Sequence, residues 1–222
     1  MIKIQTIGKG SIKVVQKYNL CTGCGTCASV CPKKCIKMVK DDYEGVYFPQ
    51  IDNGKCSRCG ICLKVCPGYF LDSSMLNLQT FGKIPKDSLL GNYIASYIGY
   101  ATDYKTRYTS SSGGLITALL CFMLDEGIIN GALVTTMDKK KPLEPKVIIA
   151  TDKNEVISAS GSKYCPVPLN IGLRKILNLN GKFAIVGLPC HIHGVRKFES
   201  INGELKRKII MHFGLFCANT VR

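Results

Sequence analysis

The sequence predicts two parts of different fold class. A small α+β domain covers residues 1–75, and an α/β domain with a mixed or mostly parallel sheet covers 93–222, with a linker at 76–92. Three observations predict this. The run "CTGCGTCASVCP" at 21–32 returns as "CSRCGICLKVCP" at 56–67. Between the copies lie two short β-type runs and a turn. Beyond residue 93, β-type and apolar helix-type runs alternate, the pattern of strands and helices layered on one sheet.

Composition narrows the class. With 46 % hydrophobic residues the chain has enough apolar surface for packed cores and too much for disorder. No apolar run reaches the ~18 residues of a membrane span. The start "MIKIQTIGKG" lacks a secretory apolar region, so the expected location is the cytoplasm. Thirteen cysteines in a cytosolic chain point to metal or redox use rather than disulfides. A net charge of +15 suits a solvated lysine-rich surface or attraction to phosphate-bearing cofactors and acidic partners. The basic residues are scattered and no nucleic-acid motif is present, so nucleic acid is not expected as a ligand.

The repeat carries the most specific chemistry. Cys21, Cys24, Cys27 and Cys31-Pro32 follow C-x2-C-x2-C-x3-C-P, and Cys56, Cys59, Cys62 and Cys66-Pro67 repeat it. This is the ferredoxin run that holds two 4Fe–4S clusters, the fourth cysteine of each run ligating the other cluster. It assigns Cys21, Cys24, Cys27 and Cys66 to one cluster and Cys56, Cys59, Cys62 and Cys31 to the other, in a ferredoxin-like two-cluster domain. Gly23, Gly25, Thr26 and Gly60 are small enough for the backbone to close on a cluster. Zinc sites use two separated ligand pairs instead. Cys35 falls outside the run and reads as a small buried residue. "IKMV" and "VYFPQI" around "DDYEG" read as strands.

Residues 68–92 read as loop and linker, and "YIASYIGYATD" as a β-rich run. Ser110, Ser111 and Ser112 are expected to cap an apolar helix from Gly114 to Glu126, stopped by Gly127. "GALVTT", "KVIIAT", "KFAIVG" and "KIIMHFGLF" read as strands. "DKNEVISA", capped by Asp152, and "LNIGLRKILNL" read as helices. In such a sheet, ligands bind where strands end and helices begin. "SSSGG" at 110–114 sets small residues at a helix N-terminus, an arrangement equally of a plain capped helix or a pyrophosphate site. "GSKY" at 161–164 joins a flexible glycine to a cation and an aromatic ring. "GLPCHIHG" at 187–194 is a strand–helix corner; Cys190, His191 and His193 also leave zinc open there. Cys165 and Cys217 lie at loop edges, where a ligand or redox role is open, and Cys121 reads as core.

"RYTSSSGG", "GSKY", "GLPCHIHGVRKF" and "GLFC", in this order behind a two-cluster module, resemble the family of coenzyme F-420 hydrogenase/dehydrogenase beta subunits over nearly the whole chain. The resemblance implies an α/β part that binds FAD, exchanges hydride with coenzyme F-420 and passes single electrons to the clusters. It implies flavin contacts at Ser111, Ser112, Gly113 and Gly114, at Ser162, Lys163 and Tyr164, and at Gly187, Pro189 and Cys190. Chains of that family continue past "GLFC" with further cysteines, so this sequence reads as truncated. Cys190 and Cys217 then read as ligands of a third cluster that the continuation would complete. A redox partner protein or subunit is implied. Two other readings stand beside this: a flavin reductase using another acceptor, and a ferredoxin-type adaptor docking a reductase without flavin turnover.

Overall fold

The computed structural model describes residues 10–218. The first part begins with α1 (Lys13–Lys17) and α2 (Thr26–Val30). The hairpin β1 (Ile36–Lys40) and β2 (Tyr47–Ile51) follows, then α3 (Ile61–Lys64). β1 and β2 pair antiparallel, Ile36 opposite Ile51 and Lys40 opposite Tyr47, with the "DDYEG" turn closed by Asp41, whose Oδ1 accepts from the N–H groups of Tyr43 and Glu44. Ile12, Val15, Ile36 and Leu63 form an apolar core shared with Cys27, Cys31, Cys35 and Cys66.

The expected loop at 68–92 is interrupted by α4 (Ser73–Phe81). The Asp72 carboxylate accepts from the Met75 N–H at 2.9 Å, and Gly82 closes the helix in the left-handed region, so both ends carry the usual stop signals. "YIASYIGY" at 93–100 is not a strand. It lies beside no strand among the described residues, and Ile94, Tyr97 and Ile98 are exposed. β-type composition without a neighbouring backbone does not make a sheet. Next comes α5 (Tyr104–Thr109), then α6 (Leu115–Asp125). The serines do not cap α6: its N-cap is Gly114, at φ +74°, and the Ser110 hydroxyl instead donates to the Thr106 carbonyl of α5.

The second sheet has the order β4 (Pro145–Ala150), β3 (Gly131–Met137), β5 (Phe183–Gly187), β6 (Ile209–Gly214). β3 and β4 are antiparallel, while β3, β5 and β6 run parallel, giving a mixed, mostly parallel sheet. Period-two alternation assigns its faces. Leu133, Phe183 and Ile185 point to one side, onto α8 (Leu173–Leu177), α9 (Pro189–Glu199) and α10 (Gly203–Lys208). Ala132, Val134 and Ala184 point to the other, onto α6 and α7 (Lys153–Ser158). "LNIG" forms a tight 3-10 turn at Leu169–Gly172 ahead of α8, rather than one continuous helix. Val65, from the second cysteine run, is fully buried in the core on the α8–α10 side, so the cysteine-rich part packs into the sheet's own core.

Candidate functional site

Each cysteine run turns at a glycine. Gly25 and Gly60 are the N-caps of α2 and α3, both left-handed, at φ +85° and +75°. A side chain on Gly25 would also meet Ile171 and the Pro168 carbonyl, so only glycine fits. The turns gather the cysteines into two sets. Burial, followed by the proximity of Cys24, Cys66 and Cys21, pushes the Cys27 thiol far up, and burial and Cys24 push Cys66 up to about 11. Cys27 thus feels the charges of Cys24, Cys66 and Cys21, and also that of Cys62 from the second run. Cys31, Cys56, Cys59 and Cys62 line one cavity, together with Cys35. Cys35 is buried, and its sulfur lies 3.4 Å from that of Cys31. Among the described residues no three His, Cys, Asp or Glu side chains converge on a single metal ion. A 4Fe–4S cube takes one thiolate at each iron corner and calls for no such convergence. In number and type, the eight cysteines of the two runs match the ligands of two cubes.

Sequence reasoning missed the residues that fasten these sets to the sheet. Arg174 of α8 donates to the carbonyls of Ala28, Ser29 and Cys31, which closes the C-terminus of α2 at 2.7–3.2 Å. Lys197 donates to the Cys66 carbonyl at 2.7 Å and to the Phe70 carbonyl. Asn170, fully buried, receives the Ser29 hydroxyl at its carbonyl and donates its N–H to the Cys24 carbonyl at 3.0 Å. These contacts span more than a hundred residues and leave no local signal. Burial alone would raise the Cys31 thiol, but the N–H of Cys35, its thiol, the N–H of Lys33 and the Arg174 charge together lower it. Cys35 itself is raised, by burial and then by Cys31. Either sulfur of this pair can donate to the other.

A second cavity, of about 530 Å³, opens at the C-terminal ends of β3 and β5. Ile116, Leu120, Val134, Val186 and Leu188 give it apolar walls, and Ser162, Lys163, Tyr164, Gly187 and Cys217 also line it. This lies in the usual size range for a cofactor pocket. Ser111, Ser112 and Gly113 line an adjoining open depression with Tyr104, Arg107 and Tyr108. The two loops touch, since the Ser162 N–H donates to Ser111 Oγ at 2.7 Å. Gly114 lies at the start of α6. The Lys163 ammonium is taken up by the carbonyls of Ala159, Ser160 and Gly161 at 2.6–2.8 Å, so it shapes the loop after α7 instead of offering a free cation.

Pro189 and Cys190 do not line this cavity; they open α9. The Cys190 thiol is pushed up to about 11 mainly by burial, then by Cys24, while the His191 N–H and the Thr22 hydroxyl lower it. His191 lines the cavity and is no zinc ligand here. Its Nδ1 accepts from the Leu188 N–H at 3.1 Å, and its Nε2 donates to the Val167 carbonyl at 2.9 Å. Burial holds its pKa at about 4. No helix among the described residues is long and apolar enough to cross a membrane.

Residues 20–68 match the 4Fe-4S dicluster domain. With the cysteine sets above, this defines an iron–sulfur protein. Residues 96–174 match the N-terminal part, and 180–222 the C-terminal part, of the coenzyme F420 hydrogenase/dehydrogenase beta subunit. The chain belongs to that family. The beta subunit of coenzyme F420 hydrogenase from Methanosarcina barkeri is 31 % identical over 137 residues, covering 60 % of this chain and 47 % of that protein. A subunit of the F(420)H(2) dehydrogenase from Methanosarcina mazei is 25 % identical over 216 residues, covering 93 % of this chain and 55 % of that protein. A chain of the F420-reducing [NiFe] hydrogenase complex from Methanosarcina barkeri superposes with a TM-score of 0.50 at 27 % identity, covering 58 % of this chain and 47 % of that one. The chain spans about half the length of these relatives.

Proposed function

We propose that this chain is an iron–sulfur flavoprotein component of an F420-linked oxidoreductase. In this reading residues 1–75 are a ferredoxin-like cluster domain, 76–92 a linker and 93–222 a flavin domain. Cys21, Cys24, Cys27 and Cys66 hold one 4Fe–4S cluster, and Cys31, Cys56, Cys59 and Cys62 hold the other. FAD in the 530 Å³ cavity supplies the exchange between the hydride of coenzyme F-420 and the single electrons of the clusters.

The chain's own residues divide the remaining work. Val134, Leu120 and Val186 would exclude water around a bound flavin, and Gly187, where a side chain would meet His191 and Leu169, lets the end of β5 pack closely against α9. Ser111, Ser112, Gly113 and Gly114 present the N-terminus of α6 to the pyrophosphate, and the +15 net charge favours phosphate-bearing ligands. Ser162 and Tyr164 border the cavity while Lys163 fixes their loop. Neutral His191 braces the strand–helix corner that Pro189 starts. Cys190 and Cys217 are two thiols of the set that a third cluster needs.

One observation carries this reading. Cys190 feels the charges of both Cys24 and Cys217, and Cys217 lines the cavity, so this thiol stands within electrostatic reach of the first cysteine set and of the cavity wall. The partner is a redox protein or subunit, and the setting cytoplasmic. A second reading, an adaptor without flavin turnover, is favoured by the exposed apolar stretch at Ile94, Tyr97 and Ile98, which suits docking. Anaerobic mixing with reduced F-420 separates the two. Bleaching of flavin and cluster absorbance is expected; clusters that stay oxidised with no flavin bound would favour the adaptor, and bound flavin that stays oxidised a flavin reductase with another acceptor.

A further inference from the structure

Thr26 is fully buried within the first cysteine run, between Cys24 and Cys27, and its hydroxyl lies 3.2 Å from the Cys24 sulfur. The same oxygen lies 2.8 Å from Asn170 Nδ2. The proton positions follow from what each group can do. The Asn170 amide nitrogen only donates, and its other hydrogen goes to the His191 carbonyl at 2.9 Å, which only accepts. This orientation is held although it leaves the buried Asn170 Oδ1 without a partner among the described residues. Thr26 Oγ1 therefore accepts from Asn170, and its single hydrogen is left for Cys24. A ligating thiolate carries no proton, so it can only accept.

We propose that Asn170 and Thr26 form a directed relay that donates a hydrogen bond to the Cys24 thiolate and raises the reduction potential of the first cluster. The proposal rests on Cys24 being a ligand of that cluster. Reduction adds negative charge to the cluster sulfurs, so a fixed donor stabilises the reduced form more than the oxidised one. The Asn170 amide polarises the hydroxyl and strengthens its bond. The relay begins in the sheet-bearing part of the chain and ends on a cluster ligand, so packing between the two parts sets the potential. Thr26 and Asn170 are positioning residues that act through Cys24.

The test is a redox titration of the anaerobically purified protein, followed by electron paramagnetic resonance, after iron analysis has given about eight irons per chain. Thr26→Val is expected to move one of two reduction steps to more negative potential and leave the other in place. Thr26→Ser, which keeps the hydroxyl, is expected to restore it. Should the valine protein lose iron, Thr26→Ala removes the hydroxyl without pressing a methyl group on Asn170. Full iron with both steps unmoved in Thr26→Val or Thr26→Ala, or a serine protein that shifts as far as valine, overturns the relay. Absence of iron–sulfur signals in the unsubstituted protein would instead overturn the cluster assignment itself.

Discussion

His191 accepts a hydrogen bond at one ring nitrogen and donates from the other, so only the neutral ring fits its site. Its folded pKa of about 4 lies below the ordinary value of 6.5, so the unfolded chain binds the proton first. The contribution to stability is fully present above about pH 6.5 and is lost as pH falls toward 4, by up to ~3 kcal/mol. His191→Gln keeps one acceptor and one donor and does not titrate. Urea midpoints at pH 7.5 and 5.5 are expected to fall more in the natural protein than in the glutamine variant; equal falls would contradict this role. Arg174 acts on the backbone instead. Arg174→Met keeps the apolar stem and removes the donors to three carbonyls. It is expected to cost about 2 kcal/mol, read as a lower urea midpoint. The dicluster repeat was legible from sequence because its meaning lies in local spacing. Asn170 and Arg174 were not, because what they do depends on Cys24, Ala28 and Ser29, far away along the chain.

At the scale of elements, the interface between α2 and α9 turns on Gly194. A Cβ there would overlap the buried Thr26 hydroxyl and crowd Asn170. Gly194→Ala is expected to force α9 away from the first cysteine set and destabilise the fold by about 2 kcal/mol. Faster loss of cluster absorbance under a chelator than in the natural protein is the readout. The strands of both sheets and the helices α6 and α7 were legible from apolar runs, from Gly127 just past α6 and from Asp152 at the start of α7, whereas the serines expected to cap α6 do not. Helix α4 was overlooked although Asp72 and Gly82 flank it, because its apolar residues form no buried face. "YIASYIGY" shows the opposite error: apolar residues of strand type stand exposed and unpaired among the described residues. The break of "LNIGLRKILNL" into a 3-10 turn and α8 follows from Asn170, whose backbone is drawn onto Cys24 and Ser29.

Over the whole molecule, the cysteine sets and the sheet share buried side chains and hydrogen bonds, and the cavity opens at the strand ends near Cys190. The sequence motifs located this cavity through "GSKY" and "GLPC". They did not foresee that the Lys163 ammonium is taken up by carbonyls. With two independent clusters, Cys24→Ser and Cys59→Ser should each lose about half of the iron, and the double variant nearly all of it. Loss of all iron in either single variant would join the two sets into one site. The central claim, two clusters wired to a flavin, is tested most directly by iron and released flavin measured on one anaerobically purified sample. About eight irons with one FAD per chain is the expected result. About eight irons with no flavin, even after FAD is supplied, would contradict it and leave an electron-transfer adaptor.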